Sequence, residues 1–256
     1  MNELMRKSVE NTITMCLRNK LNNYSPESKA MPFHYRLLGK DRMSLFSFIH
    51  SLNTVFGTSI FEPVAKTLAK ERFAKVELQY TVGDKIYQQT QTAITEIMDD
   101  IIASIEKPNK PSELAILGTT LSGNKREVHP TKVDLYLEDN SGGIYLFDLK
   151  SPKPNKGEFK GFKRTLLEWA GVALAVNGKV NVNTMIAIPY NPYEPGPYER
   201  WTMAGMLDVA NEVKVAAEFW DFLGGEGSYA ELLDCFERVG VEMRDEIDLR
   251  FAKFKV

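Results

Sequence analysis

A chain of 256 residues, 43% hydrophobic and 26% charged, has the composition of an ordinary globular protein and is long enough to bury a full core. Its formal net charge of −2 excludes a protein coated in positive charge, though not a localised basic groove. Its two cysteines, Cys16 and Cys235, have neither C-x-x-C spacing nor Cys/His partners; this excludes the usual zinc patterns and a disulfide framework, so a reducing, cytoplasmic setting is expected.

The chain opens on an amphipathic helix: Leu4, Met5, Val9, Ile13, Cys16, Leu17 and Leu21 recur close to helical spacing, a face for packing or for dimerisation. Glu3, Arg6, Lys7 and Glu10 among them are wrong for a signal peptide. No apolar run approaches the ~20 residues that a membrane helix requires, so no membrane partner is expected. Tyr24 to Asp41 reads as a proline-containing loop, and Met43 to Phe56 as a largely apolar helix stopped by Gly57. A second helix is predicted from Ser59 or Glu62, because Pro63 suits a first turn and Val64, Ala65, Leu68, Ala69 and Phe73 follow at helical spacing. Glu62 on this reading is a helix-start acid favoured by the dipole. Ile86 to Ile105 is another predicted helix, and Leu114 to Thr119 is a short strand or the approach to the next element.

Chemistry concentrates in Pro130 to Asn155. Val133, Leu135 and Leu137 alternate with Asp134, Tyr136 and Glu138; a turn signal, Glu138 to Gly143, leads to a second apolar run, Ile144 to Leu149, so the segment reads as a β-hairpin. Period-2 alternation sends Asp148 and Lys150 to one face, and antiparallel pairing brings Asp134 across to it. An Asp-x-Lys pair is common on solvated sheet faces. Two carboxylates and a lysine at one sheet end are also what metal-assisted phosphodiester hydrolysis needs: acids to hold hard Mg²⁺, and an ammonium to orient or deprotonate water. His129, just before the hairpin, is read as a loop residue touching phosphate or water.

Ser151-Pro152-Lys153-Pro154-Asn155 cannot be helical, since its two prolines remove donors and push their predecessors into extended conformations. Helix resumes near Glu158. Phe159, Phe162, Leu166, Trp169, Ala170 and Ala173 form its apolar face, with Lys160, Lys163 and Arg164 on another. Six basic residues against Glu158 give Leu149 to Arg164 a charge of +5, whereas Leu207 to Arg250 carries twelve acids and four bases. Lys153, Lys156, Lys160, Lys163 and Arg164 are therefore candidate phosphate contacts. Val180 to Ile188 is a strand, expected to lie parallel to the Asp148 strand through a right-handed crossover. Asn191 to Tyr198 is a proline-rich loop, and Arg200 just after it with the nearby asparagine and tyrosines could read base edges, the other reading being a rigid aromatic-proline spacer. Met203 to Phe222 and Tyr229 to Val239 are predicted helices, with Ser228 as the N-cap of the second.

These elements predict an α/β fold: one domain over 1–256 with a central mixed β-sheet flanked by helices and helical N- and C-terminal regions. Residues 1–110 form a mainly helical part, 111–190 the sheet core, and 191–256 a loop and helical part.

Pro130, Asp134 and Asp148-Leu149-Lys150 match the PD-(D/E)xK nuclease signature. With Ser151 to Asn155 behind the lysine, and with Phe219 to Gly225, Tyr229 and Leu232-Leu233 near the end, the chain from about Ser51 onward resembles type II restriction endonucleases of the TdeIII-like group. The resemblance implies a restriction-endonuclease-like sheet and Mg²⁺-dependent cleavage of double-stranded DNA within a restriction-modification system. It further implies metal held by Asp134, Asp148 and the Leu149 carbonyl, and water positioned or activated by Lys150. A third acid comes from a preceding helix, Glu62, with Glu71 and Glu77 as the other candidates. Cutting both strands of a palindrome with one site per chain implies a homodimer. Two other functions use the same residues: a structure-specific repair or recombination nuclease, and a DNA-binding module without catalysis.

Overall fold

A computed structural model of the chain describes residues 1–25 and 31–252. In chain order it begins with the helices α1 (Glu3–Asn23), α2 (Pro32–Leu38) and α3 (Lys40–Phe56), a π-helical turn at Gly57–Phe61 and α4 (Glu62–Ala69). There follow β1 (Lys75–Tyr80), β2 (Lys85–Tyr87), α5 (Gln88–Ile102), α6 (Lys110–Thr119), β3 (Lys125–Glu127), β4 (Val133–Glu138) and β5 (Ile144–Leu149). The remainder is α7 (Phe159–Val176), β6 (Val182–Ile188), β7 (Val213–Val215), α8 (Ala217–Gly224), α9 (Ser228–Glu242) and α10 (Arg244–Ala252).

The chain divides into two compact units. The first, Met1–Leu68 with Gly225–Val256, is helical. The Asn2 side chain caps α1 by accepting from Met5 N at 2.7 Å, and Met5, Val9, Ile13 and Leu21 turn the apolar side of α1 inward. Arg238 of α9 reaches Glu10 of α1 at 2.6 Å. No helix among the described residues is long and apolar enough to cross a membrane.

The second unit, Ala69–Gly224, holds a five-stranded mixed sheet in the order β1-β4-β5-β6-β7, with the first two pairings antiparallel and the last two parallel. The hairpin β4–β5 lies at its centre, as its alternation predicts. Asp139 closes the turn: its Oδ1 accepts from Ser141 N at 2.8 Å and Gly143 N at 2.9 Å, while Gly142 takes the left-handed φ of +82° that a side chain disfavours. One sheet face is sealed by rings, Phe147 meeting Phe219 at 5.3 Å and Phe222 at 5.8 Å between centroids. The chain then crosses through α7 to β6, which pairs parallel with β5 from Ile144↔Val182 to Leu149↔Ala187.

Several expectations are corrected. Leu114 to Thr119 lies in a helix, because the Asn109 side chain caps α6 on Ser112 N at 3.0 Å and Pro111 sits in its first turn. Lys75–Tyr80 is a strand that the sequence analysis passed over. The stretch predicted as a helix from Met203 begins irregularly and supplies β7, since Val213 and Val215 pair with Ile186 and Ile188 at the sheet edge before α8 starts. Ile86 and Tyr87 belong to β2, and Pro32–Leu38 is a helix inside the expected loop. Gly57 does not stop α3: at φ −54° it carries the chain into the π-helical turn. Gly227 at φ +80° takes the N-cap position of α9, and Ser228 is its first residue. With β1 and β7 in the sheet, the sheet core reaches well outside residues 111–190.

Candidate active site

The antiparallel register Leu135↔Phe147 sets the next residues, Asp134 and Asp148, opposite each other on one face of the sheet. Each carboxylate is held differently. Asp134 Oδ2 accepts from Leu149 N at 2.8 Å and its Oδ1 from Gln79 Nε2 at 3.1 Å. Asp148, 7% exposed, has its Oδ1 2.6 Å from Lys150 Nζ. Lys150 is anchored through its N–H to Ala187 O at 2.9 Å, and its ammonium lies 4.8 Å from the Phe162 ring centroid. The carboxyl ends of the parallel strands β5 and β6 thus open beside this cluster.

Burial pushes the Asp148 carboxyl up to about 7; the adjacent Asp134 carboxylate pushes the same way, while Lys150 pulls against both. Two acids facing each other in a half-dry site make a standing demand for positive charge, which one ammonium meets only in part. This hard, all-oxygen donor pair suits Mg²⁺, which keeps several waters and takes one or two protein carboxylates. Among the described residues no group of three His, Cys, Asp or Glu side chains is arranged to hold a metal.

Gln79 is a contact of Asp134 that the sequence analysis missed. It sits in β1 at φ +51°, a left-handed conformation costly for a non-glycine residue, and there its amide meets Asp134. The signal was the alternation of Lys75 to Tyr80, which marks a strand but not its partner. Glu77 pairs with Tyr136 and so faces the same side as Asp134, whereas Glu71 is exposed in the turn after α4. Glu62 is 2% exposed at the first residue of α4 and belongs to the helical unit. His129 and Pro130 line a cavity with Ile86, Gln91, Glu168 and Val172.

The candidate DNA contacts divide. Lys153, Lys156 and Lys160 are exposed, and Arg164 is half-buried. Lys163 is corrected: it is fully buried, 2.5 Å from Glu113 and 2.8 Å from Glu212, and Lys110 joins the same cluster 3.1 Å from Glu212. Burial holds the Lys110 ammonium below its ordinary range, against the pull of Glu212. Two lysines and two glutamates balance charge inside the unit, so Lys163 is spent on folding. Arg200 is likewise spent. Its guanidinium donates to Val209 O at 3.2 Å and Val213 O at 3.1 Å and pairs with Glu218, which fastens its loop instead of reading bases.

The family model described as "Type II restriction endonuclease, HinfI" matches residues 1–240, including the N-terminal helices that the resemblance from Ser51 onward left out. The chain is 29% identical over 232 residues to the type II restriction enzyme HgiCII of Herpetosiphon aurantiacus, covering 87% of this chain and 82% of the relative. It is 28% identical over 231 residues to HgiEI of the same organism, covering 89% and 83%. With MjaII of Methanocaldococcus jannaschii it shares 27% identity over 256 residues, covering 87% of this chain and 67% of that enzyme.

Proposed function

The chain belongs to the HinfI family of type II restriction endonucleases, a family of site-specific DNA-cleaving hydrolases, and from that premise we propose that Asp134, Asp148 and Lys150 form its cleavage centre. The resemblance to type II restriction endonucleases drawn from the hairpin and the late Phe219 to Leu233 segment holds, and the matching family model is that of HinfI. Enzymes of this class generally use divalent metal ions. Asp134, Asp148 and the Leu149 carbonyl would hold Mg²⁺ here. When bound, it supplies an acidified water and neutralises charge on the attacked phosphate.

The residues of the chain do the rest. Leu149 N–H and the Gln79 amide hold the Asp134 carboxylate in place opposite Asp148. Lys150, seated on the Phe162 ring, orients the attacking water and stabilises the negative charge growing on the phosphoryl oxygens. Cleavage leaves 5′-phosphate and 3′-hydroxyl ends. Lys153, Lys156, Lys160 and Arg164 meet DNA phosphates. Two chains act as a homodimer on the two strands, inside the cytoplasm, where a restriction system meets DNA. Glu62 and Glu77 are the candidates for a further acid, Glu77 on the sheet face of Asp134; Glu62→Gln and Glu77→Gln tell them apart, because only the participant loses metal-dependent activity.

The observation that carries this reading is that Asp134 and Asp148 oppose each other while Lys150 contacts Asp148. Plasmid DNA incubated with the protein in Mg²⁺ is expected to give discrete fragments, lost on chelation and in Asp148→Ala and Lys150→Ala. Cleavage indifferent to both substitutions overturns the site.

A further inference from the structure

Large aromatic side chains in solvent are costly unless something covers them, and Trp201 is 70% exposed. It projects from the loop that leaves the carboxyl end of β6, the strand parallel to the one that carries Asp148. The loop is firmly held. Trp220 Nε1 donates to Pro189 O at 2.7 Å, Asn191 Nδ2 to Gly196 O at 2.7 Å, and the guanidinium of Arg200, next to Trp201 in the chain, donates to the carbonyls of Val209 and Val213. Across from it runs the basic stretch after Lys150. Tyr198 Oη donates to Pro152 O at 3.0 Å, Lys153 Nζ lies 4.8 Å from the Tyr193 ring centroid, and Lys156 Nζ lies 5.1 Å from that of Trp201.

Two surfaces of different chemistry therefore stand side by side. The basic stretch offers ammonium groups to phosphate. The loop carries exposed Glu194 and Glu199, whose charges oppose phosphate there, and presents the Trp201 indole to solvent.

Resting on the cleavage reading above, we propose that Trp201 is a DNA-contacting residue. Its indole is buried against base edges in a groove, while Lys153 and Lys156 leave the faces of Tyr193 and Trp201 for the flanking phosphates. The aromatic faces hold the two ammonium groups in readiness in the free enzyme, and the exchange is electrostatically favourable because a phosphate is a full charge where a ring is a quadrupole. A rigid loop lets the indole dock without the cost of ordering it.

The chain's three tryptophans make the test site-specific, for Trp169 and Trp220 are each 1% exposed. Acrylamide quenching of tryptophan emission is measured for the full chain alone and with a short duplex bearing a cut site mapped from plasmid digestion, in Ca²⁺ to keep the strands intact. Binding is expected to shield the quenchable fraction down to the level of Trp201→Ala. That variant should lose roughly tenfold or more in affinity, chiefly in KM and with little change in kcat, while Trp201→Phe keeps most of the affinity; melting temperatures matching wild type show that both variants fold. Lys156→Gln should reduce the slope of log affinity against log salt by about 0.9. Binding that leaves Trp201 as quenchable as before, or Trp201→Ala binding as wild type, overturns the proposal and leaves the cleavage centre standing. Failure to cut or bind any DNA overturns both.

Discussion

At the scale of single residues, environment assigns roles that residue type alone does not. Asp134 and Asp148 are the same residue on the same face, yet hydrogen bonds hold one and burial dominates the other. The rise of the Asp148 pKa to about 7 has a consequence for stability with a definite sign. Between the ordinary carboxylate range and pH 7 the folded protein binds a proton that the unfolded chain has released, so this group makes the fold less stable as pH rises through that window. In chelator, Asp148→Asn should melt above wild type at pH 8 by about 4 °C, equivalent to roughly 2 kcal/mol at this size, and the gain should vanish by pH 4. A thermal melt series against pH checks it. Lys163 predicts the opposite kind of change. Lys163→Ala strands Glu113 in the interior and leaves Glu212 to Lys110 alone, and should cost about 3–5 kcal/mol, read by denaturant unfolding, while the salt dependence of DNA binding stays unchanged.

At the scale of elements, the hairpin is where local signals and tertiary structure agree. Val133 to Leu149 contains its own alternation, turn and acids, so β4 and β5 follow from contacts within seventeen residues of sequence. Asp139 is the fastening: its hydrogen bonds from Ser141 and Gly143, which hold its carboxyl below the ordinary range, pin the turn that aligns Asp134 with Asp148. Asp139→Ala should lower the melting temperature with cleavage per folded molecule nearly unchanged, seen by comparing melting temperature with specific activity. Elements whose reasons lie elsewhere in the chain escaped. Val213 to Val215 becomes a strand because Ile186 and Ile188 offer a parallel edge 27 residues earlier. Lys75 to Tyr80 becomes one because β4 stands ready across more than fifty residues.

At the scale of the whole molecule, the sheet unit carries the acid pair, the lysine and the exposed basic residues, and the helical unit carries Glu62. A duplex has two strands and each chain one such centre, so the homodimer is expected to be the active species. Sedimentation should show a species of twice the chain mass, and specific activity should fall on dilution through its dissociation constant. A monomer that cuts both strands in one encounter would contradict this. Charge is uneven along the chain, basic from Leu149 to Arg164 and acidic from Leu207 to Arg250.

The sequence by itself determined the hairpin, the Asp134, Asp148 and Lys150 set, the helical ends and the α/β class, because period-2 alternation, turn residues and helical spacing are local consequences of backbone geometry. Only the tertiary structure decided that Gln79 grips Asp134, that Lys163 is buried and Arg200 is taken up by carbonyls, and that Trp201 stands in solvent beside Lys156. Most of those facts depend on a partner tens of residues away, brought near by sheet pairing and core packing, and Arg200 on carbonyls 9 and 13 residues on. A cation's partner depends on which face of its helix is buried, and this is set by the rest of the fold.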